Sequence, residues 1–124
     1  MAIRLKRSYD AAADDDGYRV LVDRLWPRGI SKQQAQVDKW IKDIAPSDEL
    51  RKAFHGGEMG WGEFRRRYLS ELTEHREALR ELARRADGER VTLLFSAKDE
   101  DHNNAVVLKQ YLGMLKTSAR PAGH

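Results

Sequence analysis

Two short runs, Val20-Leu21-Val22 and Val91-Thr92-Leu93-Leu94-Phe95, constrain this chain more than any other feature. A continuous apolar run has no face to give to water, so it suits a strand covered on both sides. Helical pattern fills the sequence between the two runs. Strands joined through helices pair in parallel through a right-handed crossover. In such sheets ligands bind beyond the carboxyl ends of the strands. The segments that follow the two runs, Asp23–Gly29 and Ser96–Asn104, are therefore the first places to look for function, and both are rich in charge.

The rest of the chain fills in around these strands. Ile3–Tyr9 alternates apolar and basic residues and reads as a half-buried strand. Asp16-Gly17 is a turn signal, so the first two strands are expected to form a hairpin with a long loop. Ser31 and Gln34 have capping-box spacing, and Val37, Trp40, Ile41 and Ile44 mark one face of the helix they would start. Pro46 ends that helix, and Ser47 caps a short one that buries Leu50 and Phe54. Trp61–Ala86 reads as one long helix, with Trp61, Phe64, Tyr68, Leu72, Leu79 and Leu82 on a single stripe. His75 falls on that stripe as a packed core residue. Trp40 and Trp61 are assigned to the core as well. The third strand is Val91–Ala97 and the last helix Asn103–Lys116, with Asp101 or Asn103 as its cap.

The predicted fold is thus α/β: a small mixed, partly parallel three-stranded sheet packed with about four helices. Residues 1–118 form a single domain, and 119–124 are expected to be a flexible tail.

Composition narrows the functional classes. The chain has 124 residues, 23 Lys and Arg against 20 Asp and Glu, and no cysteine. The excess of base is too small to require a nucleic-acid partner. Without cysteine there is no disulfide, thiolate nucleophile or Cys-based zinc site. This fits a cytoplasmic protein, and no apolar run reaches the length of a membrane span. No motif names a cofactor.

Three constellations are weighed. The first is an anion pocket: Arg24, Arg28 and Lys32 surround the start of one helix and Lys98 precedes another, with guanidinium geometry suited to phosphate or carboxylate. The alternative is that Arg24 and Lys98 only pair with Asp23 and Asp99. The second is acid–base chemistry by Asp23, Asp99 and His102, with His55 and Asp101 as further candidates; helix capping competes for Asp101. The third, a divalent metal held by the same acids, lacks ligand spacing, and a solvated acidic turn is the expected reading of Asp14–Asp16. Trp26 stacks on a ligand or plugs the top of the sheet, Tyr68 walls the pocket, and one of Arg65, nearer Trp61, and Arg67, which flanks the helical stripe, is placed to reach it.

The string Val20-Leu-Val-Asp-Arg-Leu-Trp-Pro-Arg-Gly29 resembles the YeaO-like branch of domain-of-unknown-function family 488. The resemblance continues through Trp40, Ala45-Pro46-Ser47, Phe54-His55, Trp61, Arg67-Tyr68, Ala97-Lys98-Asp99 and His102-Asn103. It implies an α/β fold and supports a site at the same two strand ends. Longer relatives carry cysteines near the last strand, where this chain has Ser96, so no thiol mechanism transfers. The family pattern often has His where Asn104 stands, which argues against a two-histidine site in the last loop.

The resulting expectation is a protein that binds an anionic small molecule, as an enzyme or a sensor. Arg24, Arg28 and Lys98 would hold the anion, and Asp23, Asp99 or His102 would move protons. A nucleic-acid-binding module and a non-catalytic homodimeric interaction domain are the alternatives.

Overall fold

The structure is a computed structural model that describes residues 2–118, the last three by backbone only. The tail expected at 119–124 lies outside the described residues. The fold is α/β, and the sheet has four strands: β1 (Ile3–Arg7), β2 (Tyr18–Leu21), β3 (Lys39–Trp40) and β4 (Val91–Phe95). Their order is β1-β4-β2-β3. Every pairing is parallel, including the β2–β4 pair expected from the two apolar runs. β1 pairs with β4 and not with β2, so the expected hairpin does not form. The chain between Arg7 and Tyr18 instead returns from the carboxyl end of β1 to the amino end of β2 and enters it through a 3-10 turn at Asp14–Asp16. Gly17 closes that turn with φ +67°, and any side chain there would collide with the Arg90 carbonyl.

Alternation along the strands sorts the two sheet faces. Val20, Val91, Leu93 and Phe95 join Phe64, Leu72, Leu79, Leu108 and Leu112 in one core. This is the face covered by α3 (Trp61–Thr73), α4 (Arg76–Gly88) and α5 (Asn104–Ser118). Each fully buried side chain of this size contributes about 1.5–3 kcal/mol relative to leaving it in water. The register aligns Arg4, Thr92 and Arg19 across the other face. Val20, Leu21 and Val22 are all fully buried, so the strand is covered on both sides as its composition requires.

The other face carries the first correction to the expected helices. Ser31 and Gln34 do form the reciprocal capping box. Yet α1 runs only over Lys32–Ala35, and Gln36 ends it in the left-handed region at φ 46°. The buried Arg19 guanidinium donates to the carbonyls of Ala35 (2.7 Å) and Gln36 (3.1 Å). In a continuing helix those carbonyls would accept from Lys39 and Trp40. Lys39 and Trp40 pair with β2 instead. Trp40 is therefore a half-buried strand residue and not a core helix residue.

The long helix also divides. Glu74 and His75 N–H donate to Glu71 and Leu72 carbonyls three residues back, a tight turn that separates α3 from α4. His75 is the half-buried residue preceding α4, not a packed core histidine. Asp16 departs furthest from expectation. It is fully buried, whereas a solvated turn was expected. Its carboxylate meets Lys6 Nζ (3.1 Å), Arg4 Nη1 (3.1 Å), Arg19 Nη1 and the Ala13 N–H.

Candidate functional site

Because β2 and β4 run parallel, their carboxyl ends lie side by side, and the Val22 N–H extends the pairing to the Leu94 carbonyl. The segments Asp23–Arg28 and Ser96–Asn104 leave the sheet there together. With α2 (Asp48–His55) they enclose a cleft of about 310 Å³.

Asp23 sits at the joint between the two segments. Its carboxylate accepts the Ser96 N–H (2.9 Å) and the Asn104 side-chain amide (3.0 Å). The same amide also donates to the Val22 carbonyl (3.1 Å). Asp23 thus ties the ends of β2 and β4 to the start of α5. Burial pushes its carboxyl above the ordinary value, against the opposing pull of Asn104, Ser96 and nearby His55. The Trp40 indole donates to the Asp23 carbonyl (2.7 Å), and Trp26 meets Trp40 edge-on at 5.5 Å. Trp26 is pinned by its own bond to the Ile30 carbonyl (2.7 Å) while still lining the cleft. Its indole N–H is engaged, so the ring offers an occupant only its apolar surface.

Three guanidiniums line the same space. Arg24 Nε is 3.4 Å from the Pro46 carbonyl and 3.6 Å from Asp48. Arg51 bonds Asp48 at 3.3 Å, while its Nε is buried without an acceptor among the described residues. Arg28 is exposed at the rim and meets no acceptor among the described residues. Asp23 is the one carboxylate among the described lining residues.

Two histidines reach the cleft from different elements, His55 at the end of α2 and His102 before α5. The His102 ring packs edge-on against Trp61 at 5.0 Å and bonds Asp99 at 3.1 Å. Asp99 itself accepts the N–H groups of Asp101 and His102, which hold its carboxyl below the ordinary range together with the His102 ring. Asp99 is thus the support of His102 and does not itself line the cleft. Asn103, and not Asp101, caps α5 by accepting from the Val106 N–H.

Several predicted site residues stand elsewhere. Lys32 and Lys98 are exposed and outside the cleft lining. Arg67 is exposed and pairs with Glu63 at 2.7 Å. Tyr68 is fully buried, and its hydroxyl donates to the Ile44 carbonyl. Burial pushes that hydroxyl well above its ordinary value, with Asp23 and Glu71 adding to the effect. Sequence reasoning did not single out Arg51. Its signals are a place next to buried Leu50 on the short helix after Pro46 and the stretch Glu49-Leu50-Arg51, which is part of the family resemblance.

The inactive DUF488-N3 subclade matches residues 2–121. The chain belongs to the YeaO-like branch of the DUF488 family. It is 50% identical over 115 residues to uncharacterized protein YeaO of Escherichia coli, covering 93% of this chain and all of that protein. It is 41% identical over 110 residues to uncharacterized protein Rv3073c of Mycobacterium tuberculosis, covering 89% of this chain and 92% of that protein. No solved structure matches it. This DUF488 chain has, among its described residues, no helix long and apolar enough to cross a membrane. Nor do the described residues hold a cluster of His, Asp or Glu able to take a metal ion.

Proposed function

We propose that this protein is a non-catalytic binding module of the cytoplasm that takes a small carboxylate- or phosphate-bearing molecule in the strand-end cleft. The observation that carries this reading is the charge arrangement. Arg24, Arg28 and Arg51 line the cleft, and its one carboxylate, Asp23, already has both oxygens engaged. An entering anion meets three guanidiniums against one carboxylate, and Arg28 has no partner among the described residues to compete for it. Two features support binding over turnover. Asp23 serves as a tie between strands, so its carboxylate is not left over as a base. The matching subclade is described as inactive. The Arg-rich helices support a nucleic-acid surface less well, because Arg65, Arg67 and Arg85 bond Gln110, Glu63 and Glu89.

The test is thermal and urea denaturation of the purified chain with inorganic phosphate, nucleotides and small organic acids. A ligand at 100 times its Kd adds about 2.7 kcal/mol of stability. The shift is expected to vanish in an Arg28→Ala/Arg51→Ala double variant and to persist in Lys98→Ala. A shift that survives the double variant, or no shift with any anion, overturns the reading.

A further inference from the structure

The cleft's polar groups define one end of an occupant; its apolar groups define the other. Three large apolar side chains stand exposed among the described residues: Tyr9, Leu25 and Met114. Two of them, Tyr9 (45% exposed) and Leu25 (64%), line this one cleft. They come from different strand ends, so local sequence does not bring them together. Deeper in, Phe54 stacks on Phe64 at 4.4 Å, and Pro46 and the Trp26 ring add further apolar wall. Scattered single apolar residues on a surface need no explanation, but exposed ones converging on a concave site mark the place of an occupant.

The charges alongside have a fixed relation to this wall. Arg28 stands free at the rim, and Arg51, with its unpaired buried Nε, lies one turn from Phe54 on the same helix. A buried donor without a protein partner is open to an acceptor from outside the chain, a water or a ligand atom. A bare inorganic anion would meet these cations and leave Tyr9 and Leu25 wet. A neutral apolar molecule would cover Tyr9 and Leu25 and leave Arg28 and the Arg51 Nε without an acceptor.

We infer that the cleft selects an amphipathic organic anion: a planar or branched apolar body against Tyr9, Leu25, Trp26 and Phe54, with a single carboxylate or phosphate at Arg28 and Arg51. This rests on the reading of the cleft as an anion site and adds the class of ligand. Leu25 and Tyr9 act as specificity residues, touching the body of the ligand and not its charge.

Three matched probes test it by calorimetric titration of the full chain: phenyl phosphate, inorganic phosphate and benzyl alcohol. Phenyl phosphate is expected to bind at least tenfold more tightly than either of the others. A Tyr9→Ser/Leu25→Ser variant is expected to lose at least fivefold for phenyl phosphate while inorganic phosphate binds as before. Because both side chains are substantially exposed, this variant keeps its fold, which an unchanged denaturation midpoint verifies. Equal binding of phenyl phosphate and inorganic phosphate overturns the amphipathic class and leaves the anion site standing. Benzyl alcohol binding as tightly as phenyl phosphate overturns the anion site. No binding by any probe at millimolar concentration overturns both, and an undiminished phenyl phosphate affinity in the double variant removes the two residues from the site.

Discussion

The two ends of β2 use the same residue types in opposite ways. Before the strand, Asp16 is fully buried, and Arg4, Lys6 and Arg19 all converge on it. After the strand, Asp23 is held by a backbone N–H and an amide, and the nearby arginines face a cleft. At one end the cations are consumed by a buried carboxylate; at the other the carboxylate is held by neutral donors, Arg24 and Arg51 share the exposed Asp48, and Arg28 is left without a partner among the described residues. An Asp beside an Arg therefore says little about function until the partner of each is known. The first end is closed and structural, and the second is open.

The largest expected effect lies at the closed end. Asp16→Asn leaves Lys6 and the almost wholly buried Arg19 without a counter-charge. Breaking a buried pair from one side costs about 3–5 kcal/mol. Urea denaturation at neutral pH reads this directly, and a loss under about 1 kcal/mol would show that the knot is no firmer than a surface ion pair.

The next effect is smaller and separates the two aspartates by sign. Burial works to raise the Asp16 carboxyl, but the Ala13 N–H, Lys6 and Arg19 override it and hold the value at about 2, against an ordinary 3.8. Its folded value is depressed, so its contribution, about 2 kcal/mol, is complete above roughly pH 4 and is lost as pH falls through about 2. Asp23 is shifted upward by burial, so its contribution runs the other way. It is present below the ordinary carboxyl value and is lost as pH rises through the raised folded one. Stability of the wild type, Asp16→Asn and Asp23→Asn is to be compared from pH 2 to pH 7. The gap between wild type and Asp16→Asn should close toward pH 2, and Asp23→Asn should rise more steeply with pH than wild type. Parallel profiles for the two variants would erase the distinction between the ends.

The smallest effect is at the open end. Arg28 has no bonding partner among the described residues, so Arg28→Ala is expected to change stability by less than about 0.5 kcal/mol. A larger loss in the denaturation midpoint would mean that Arg28 supports the fold after all.

Much of the site was legible from local pattern, and the missing parts share a cause. The runs at Val20–Val22 and Val91–Phe95 identify two adjoining parallel strands, and the loops that follow them do meet at the cleft. The helix expected across Val37, Trp40, Ile41 and Ile44 fails although its periodicity is sound. Arg19, from a neighbouring strand, captures the carbonyls that the helix needs. The stripe from Trp61 to Leu82 is likewise real, with Phe64, Tyr68, Leu72, Leu79 and Leu82 all buried. The turn at Glu74 and His75 interrupts it without a Pro or Gly to announce the break. In each case a tertiary interaction or a redirected backbone overrides a correct local preference.

By itself, the sequence determined the α/β class, the parallel pairing of the two apolar strands and the charged character of their carboxyl ends. These follow from hydrophobic periodicity, which is a local property of the chain. Only the tertiary structure decided that β1 joins β4, that Asp16 is buried, that Arg51 comes to the cleft and that Lys32, Arg67, Tyr68 and Lys98 do not line it. The physical reason is that an ion pair or a hydrogen bond is fixed by which partner desolvation brings within about 3 Å. That choice is made between residues far apart in the chain, where periodicity carries no information.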